Sequence, residues 1–409
     1  MTPPNDDKSN SRKRNVIAIL TLRRHETGIW IQRLVDCLND RLVGSDIVPQ
    51  IIVLENTLQQ PFSVSDDSSD CFLTQASRHW MGVVNRVSDA AEPWEVKACS
   101  AVLQLAKHVW NIPIFNGPDA YSLCVNKWCH HVVFTRAGLA SPPTVVFLSS
   151  TNTTTSDDDD DESSQNVSSL AAKALVEQCQ KQSTGPSHHS GPSHDTHSFD
   201  MLIKPNAGGF GAGIQRRSLE EVDRGTNLIS MAPPCPVFAD HMTLLQRYIS
   251  PSQGKVCRIW FLLGKIHCAV ERSIETFVSS DLTARSASSS TDEFTSACVG
   301  GMCTRPISRK DGYCEHQPSS DINNQGPTGS TMKPWAVPRD VRIEIEEQLL
   351  PSLPADAHCG SVEFLHDERG RRLYFDLNLL STLPLQNIAN EADPWSQLAE
   401  AVLSVFTVA

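Results

Sequence analysis

Ile203-Lys204-Pro205-Asn206-Ala207-Gly208-Gly209-Phe210-Gly211-Ala212-Gly213 joins a hydrophobic strand end to a cation and then to a loop made mostly of glycine. Gly208, Gly209, Gly211 and Gly213 allow positive φ and bring bare backbone N–H groups close to an anion, with Lys204 as a point charge. A nucleotide triphosphate suits such a loop. A Walker loop is excluded, because its lysine follows the glycines and precedes Ser or Thr, whereas Lys204 comes first and Ile214 follows Gly213. A dinucleotide fingerprint is excluded too, since neither Gly-x-Gly pair has a third glycine three residues on. By itself the segment also reads as a β-hairpin with a flexible glycine tip.

A second constellation lies near the other end of the chain. Ser361-Val362-Glu363-Phe364-Leu365 and Leu373-Tyr374-Phe375-Asp376-Leu377-Asn378 flank His366-Asp367-Glu368-Arg369-Gly370-Arg371, the pattern of a hairpin. A turn centred on Arg369 and Gly370 sets Glu363 opposite Asp376, with Asn378 on the same face and Val362, Phe364, Phe375 and Leu377 on the apolar one. Two carboxylates facing each other repel unless a cation lies between them, and two acids plus an amide suit Mg²⁺, with Mn²⁺ as an alternative. An ordinary amphipathic hairpin with solvated acids is the plainer reading.

Four stretches in this order resemble the ATP-grasp superfamily, in particular the branch of ribosomal-protein glutamate ligases and glutathione-synthetase-like enzymes. Ile112–Pro118, Asn126-Lys127, Ala137-Gly138-Leu139 and Pro142-Pro143-Thr144 resemble the lead into its ATP-binding domain. Lys204 and the glycine loop resemble its phosphate-covering hairpin. Leu245-Gln246-Arg247-Tyr248-Ile249, followed by Arg258 and Arg272, resembles its adenine-binding connection and the strands behind it. Glu363, Asp376 and Asn378 match its acid, acid and asparagine metal ligands. Three departures stand out: many relatives have Asp then Glu at the metal positions, reversed here, Arg247 interrupts a connection that often carries an acid, and Val256-Cys257 stands where relatives often have Asp shortly before the strand arginine.

The resemblance implies an α/β protein: an N-terminal parallel-sheet domain over 16–118, then a two-lobed α+β ATP-grasp domain over 119–409. Strands alternating with helices support the first part: strands at Val16–Leu20, Ile47–Leu54, Gly82–Val87 and Ile112–Phe115, helices at Gly28–Leu42, near Glu92–Val109 and over Pro118–Ala137. Asn85-Arg86, at a strand end, lies where open α/β sheets bind ligands, and reads equally as a surface ion pair. Val145–Leu148 reads as a further strand, Leu170–Gln182 and Val341–Leu350 as helices.

Residues 1–15 read as a polar tail, and 149–168, 184–198 and 279–331 as insertions too polar to fold alone. His188, His189, His194 and His197 lie in a solvated linker. Cys298, Cys303, Cys314 and His316 offer a loosely spaced zinc set, against which free thiols in a loop are the simpler reading.

The net charge of −12 over 409 residues argues against general nucleic-acid binding, and half of it comes from Asp157–Glu162. No segment reads as a membrane span or secretory signal, and thirteen cysteines without framework spacing suit a reducing compartment, so a cytoplasmic location is expected.

By the resemblance, the function is ATP- and Mg²⁺-dependent joining of a carboxylate to an amine or thiol through an acyl phosphate, on small-molecule or peptide substrates. Lys127, Lys204, Gly208, Gly209, Phe210, Gly211, Gly213, Gln246, Arg247, Tyr248 and Ile249 then bind nucleotide. Glu363, Asp376 and Asn378 hold metal, and Arg258 and Arg272 face the acceptor or the transferring phosphoryl group. A small-molecule kinase on the same scaffold and an ATP-binding regulatory protein without turnover are the alternatives.

Overall fold

The computed structural model describes residues 15–58, 79–87, 93–148, 161–183, 199–207, 214–219, 242–273, 332–381, 383 and 393–407. The glycine loop from 208 to 213 lies outside them. So do the four linker histidines, the candidate zinc residues and nearly all of the expected insertions.

Strands β1 (Asn15–Thr21), β2 (Ile47–Val53), β3 (Trp80–Asn85) and β4 (Ile114–Phe115) form a parallel sheet in the order β2-β1-β3-β4. Its central strand β1 is apolar at every interior position because helices cover both faces. Ile17, Ile19 and Val84 pack with Ile31, Leu34 and Leu38 of helix Ile29–Arg41. Ala18, Leu20 and Val83 pack with Cys99, Val102 and Leu103 of helix Pro93–His108 on the other face.

The last helix, Pro394–Thr407, returns to this N-terminal sheet, where Trp395 stacks on Trp30 with ring centroids 5.8 Å apart. It belongs by sequence to the C-terminal unit and in space to the N-terminal one. Gly82 makes the return feasible: a Cβ there would stand 2.6 Å from the Phe406 ring.

The expected single helix over Pro118–Ala137 is two, Pro118–Cys124 and Lys127–Arg136. Asn126 breaks it and caps the second, its side chain accepting from the Cys129 amide. The helix expected over 170–182 begins earlier, at Asp161, and ends at Ser183. That expected at Val341–Leu350 starts as an α-helix at Arg339–Ile343 and widens into a π-helix over Glu344–Leu349.

Two antiparallel sheets form the remainder. Strands β5 (Thr144–Leu148), β6 (Asp200–Pro205), β7 (Gln215–Ser218) and β8 (Met242–Arg247) run β5-β8-β6-β7. Strands β9 (Lys255–Leu262), β10 (Lys265–Ser273), β11 (Met332–Pro334), β12 (Cys359–His366) and β13 (Arg372–Asn378) run β11-β10-β9-β12-β13.

Asn116 ties this larger sheet to the parallel one. It holds a left-handed φ of 60°, its Oδ1 accepts from the His358 and Cys359 amides, and its Nδ2 donates to the Cys359 and Leu379 carbonyls. Among the described residues no helix is long and apolar enough to cross a membrane.

Candidate functional site

The β12–β13 hairpin presents the two acids. Asp367 closes its turn by accepting from the Arg369 and Arg371 amides, and Gly370 supplies the positive φ of 73°. Glu363 pairs directly with Asp376, and Ser361 with Asn378, as the turn chemistry predicts. A bulge follows, so that Phe364 pairs with Tyr374 instead of Phe375.

The bulge corrects the expected apolar face. Tyr374 takes its place beside Phe364, while Phe375 joins Leu365, Leu373, Val256 and Ile249 in a separate small cluster. The Lys204 ammonium stands 6.0 Å from the Phe375 ring centroid, so the hairpin's acidic face and β6 look at each other across one cleft.

Arg258 lies opposite Glu363 on β9 and binds it at 3.2 Å, while donating to the hydroxyls of Ser361 and Ser381. Glu363 is nearly sealed from solvent, and its Oε2 has no hydrogen-bond partner among the described residues. Burial raises its pKa, against the pull of Arg258, and Asp376 raises it further. Burial acts on Asp376 in the same sense, but the contact with His130, the Lys127 charge and Arg258 outweigh it and hold its pKa low.

His130 was not singled out by the sequence, and it ties its helix to β13 beside Asp376, its Nδ1 accepting from the Leu377 amide. Its Nε2 donates to the Leu123 and Cys124 carbonyls, which turns Nδ1 towards Asp376 Oδ1 at 3.5 Å. The neighbouring His131 leaves the opposite side of the same helix. Its Nε2 accepts from Gln246 Nε2, which also donates to Thr144 Oγ1, and Gln246 Oε1 accepts from Lys204 Nζ at 2.5 Å. Burial, aided by the Lys204 charge, lowers the His131 pKa to about 3, so the ring is neutral. Helix Lys127–Arg136 is thus a wedge with one histidine on each sheet.

Asn206 brings the two lysines together. Its carbonyl accepts from the Lys127 amide and its Oδ1 from the Trp128 amide, clasping the start of that helix to the end of β6. Lys127 and Lys204 both act on Asp376, and Arg258 and Arg272 both act on Glu363. Among the described residues four cations therefore surround two carboxylates. The surplus of two positive charges complements MgATP, which carries about two negative ones.

The connection after β8 divides its side chains. Gln246 faces the cleft. Arg247 points to the other side of the sheet, its guanidinium over the Phe199 ring and near Cys179, and Tyr248 is stacked by Arg216. Ile249 returns to the Phe375 cluster. Neither Arg247 nor Tyr248 brings its side chain to Lys204, so strand alternation leaves them only backbone groups to offer there.

The donor set fits Mg²⁺. It comprises two carboxylates, one with an unpartnered buried oxygen, and the Asn378 amide, whose Oδ1 accepts from the Leu380 amide. Among the described residues no cluster of three or more His, Cys, Asp or Glu side chains forms.

No family model matches the chain, and no curated protein sequence matches it. Solved structures do match over nearly the whole chain. D-cycloserine synthetase DcsG is similar with a TM-score of 0.54 at 15% identity, covering 95% of this chain and 100% of its own. ATP-grasp ligase PsnB complexed with minimal precursor gives 0.52 at 13%, covering 96% and 99%. Macrocyclase MdnC bound with precursor peptide MdnA from Microcystis aeruginosa MRC gives 0.51 at 11%, covering 95% and 99%. The chain has the ATP-grasp fold, as its sequence motifs imply.

Proposed function

We propose that this protein is an ATP-dependent ligase that activates a carboxylate and joins it to an amine. The observation that carries the proposal is the convergence of Lys127, Lys204, Arg258 and Arg272 on the Glu363–Asp376 pair, with Arg258 3.2 Å from Glu363 and Lys204 6.0 Å from the ring centroid of Phe375 beside Asp376. The like-folded PsnB has been captured with Mg and ADP, and at a TM-score of 0.52 it supports the same cofactor pair here.

The phosphates of ATP are bound by Lys127 and Lys204, which the Asn206 clasp brings together. Val256, Ile249, Leu365, Leu373 and Phe375 supply an apolar floor for the base. Glu363, Asp376 and Asn378 would hold Mg²⁺, which when bound neutralises charge between phosphate oxygens. Arg258, already oriented by Ser361 and Ser381, turns its remaining capacity to the acceptor carboxylate or the transferring phosphoryl oxygens. His130 holds the β13 backbone at Leu377 and Gln246 holds Lys204, so catalysis rests on positioning and charge neutralisation, which is most of what phosphoryl transfer requires. Attack by the amine on the acyl phosphate then forms the C–N bond and releases phosphate.

Calorimetry of ATP with and without Mg²⁺, on wild type and Asp376→Asn, tests this reading. Magnesium-dependent binding that disappears in the variant is expected, as is ADP release in the presence of a substrate acid. Full activity in Asp376→Asn overturns the metal assignment, phosphorylated product in place of an amide establishes the kinase alternative, and no nucleotide binding under either condition overturns both.

A further inference from the structure

The carboxyl edge of the parallel sheet holds a cation that the reading above does not use. Arg86 directly follows β3, and its amide donates to the Leu20 carbonyl. Val84 packs in the layer with Ile17 and Ile19, and Arg86 and Thr21 continue that alternation at the ends of their neighbouring strands. Leu20 pairs with Asn85, so Thr21 and Arg86 stand side by side. The same layer contains Trp260, Cys359 and Leu383, so this edge meets the larger sheet beside Arg258, whose guanidinium lies 5.2 Å from the Trp260 ring centroid.

Arg86 has no carboxylate partner and its guanidinium makes no hydrogen bond among the described residues. The titratable groups it faces are the thiols of Cys359 and Cys124, and burial lowers its pKa. Cys124 in turn donates to Asn378 Oδ1 at 3.7 Å, which places Arg86 one residue away from the candidate metal set. Thr21 is fully buried and its hydroxyl has no partner among the described residues. The guanidinium is only partly buried at this edge and meets no protein carboxylate among the described residues, so its charge is open to that of a ligand. A neighbouring unpartnered hydroxyl makes a donor set shaped for a carboxylate.

We propose that Arg86, with Thr21, binds a carboxylate of the substrate remote from the reacting group, so that the enzyme acts on a dicarboxylic acid or on an amino acid whose own carboxylate is held there. This deepens the ligase reading and rests on it. Arg258, held by Glu363, Ser361 and Ser381, serves the reacting carboxylate or phosphoryl group, and Arg86 at the neighbouring sheet edge offers a separate cation for a second anionic group.

The test uses the full chain with MgADP and two probes, glutarate for the acid and L-alanine for the amine. Thermal unfolding and calorimetry are run on wild type, Arg86→Met and Arg86→Lys. At least one probe is expected to bind wild type and raise its Tm, and the responding probe identifies which substrate carries the carboxylate. Arg86→Met should weaken that binding tenfold or more, and Arg86→Lys should fall between, because an ammonium cannot make the bidentate contact. Without probe, Arg86→Met should keep the wild-type Tm, since the Arg86 side chain makes no hydrogen bond or ion pair among the described residues; a merely structural arginine would give a fall. The inference is overturned if wild type binds neither probe, or if Arg86→Met binds as wild type does. Either result with MgATP binding intact leaves the ligase reading standing, whereas loss of magnesium-dependent nucleotide binding fails that reading instead.

Discussion

Nucleotide binding at this site should exchange protons, and the direction should invert with pH. Burial is the main cause that lowers the Lys204 pKa to about 8, with Lys127 adding to it and Asp376 and Glu363 opposing. A phosphate placed against the ammonium restores the ordinary lysine range. With a starting value near 8, about half a proton is taken up per nucleotide at pH 8 and about 0.9 at pH 9, against about 0.1 at pH 7. Glu363 acts in the opposite sense: its pKa is raised by burial, and a cation between it and Asp376 ionises it, so a proton is released towards the acid side.

Calorimetry of MgADP binding in buffers of equal pH and different ionisation enthalpy reads the exchange directly. Release at neutral pH and below should give way to uptake at pH 9. Lys204→Met should lose the uptake and keep the release, and Glu363→Gln should do the reverse. Uptake near zero in wild type at pH 9, or undiminished in Lys204→Met, refutes the reasoning.

The same depressed pKa sets a stability trend for the free protein. Between about pH 8 and pH 10.5 the unfolded chain holds the Lys204 proton and the folded chain does not, so stability rises with pH through that window, by at most about 3 kcal/mol.

Two further outcomes concern the frame around the site. Asn116→Ala removes four hydrogen bonds to backbone groups at a buried junction, and one to the Cys359 thiol, and should destabilise by about 3 kcal/mol in urea unfolding, because the Cys359 and Leu379 carbonyls and two amides lose their partner. Gly82→Ala forces a methyl into the Phe406 ring and should cost about 1–3 kcal/mol by overpacking; Phe406→Leu in the same chain should recover part of it, and a double variant no more stable than the single excludes that contact as the cause.

Local chemistry carries far in this sequence. The alternation of β12 and β13 and the Asp367–Gly370 turn determine that Glu363 meets Asp376, because register follows from turn geometry and a period of two, both readable within eighteen residues. The strand that carries Lys204 is also legible, because its apolar run before the lysine is a property of neighbouring residues. The alternation of strands and helices up to Phe115 likewise fixes a parallel sheet.

The side of the hairpin on which Phe375 lies was decided elsewhere: a bulge needs the partner strand and the packing of Val256, Leu365 and Leu373 to select it. His130 and His131 are adjacent in sequence and serve opposite sheets only because their helix is wedged between them, His131 meeting Gln246 at a separation of 115 residues. Asn206 clasping Lys127, and Arg86 left facing two thiols at a sheet edge, are likewise contacts between distant segments. Sequence by itself determined backbone conformation and periodicity, which depend on neighbours along the chain. Tertiary structure decided which charges share a cleft and which lack a partner, because burial and Coulomb energy depend on distance in space.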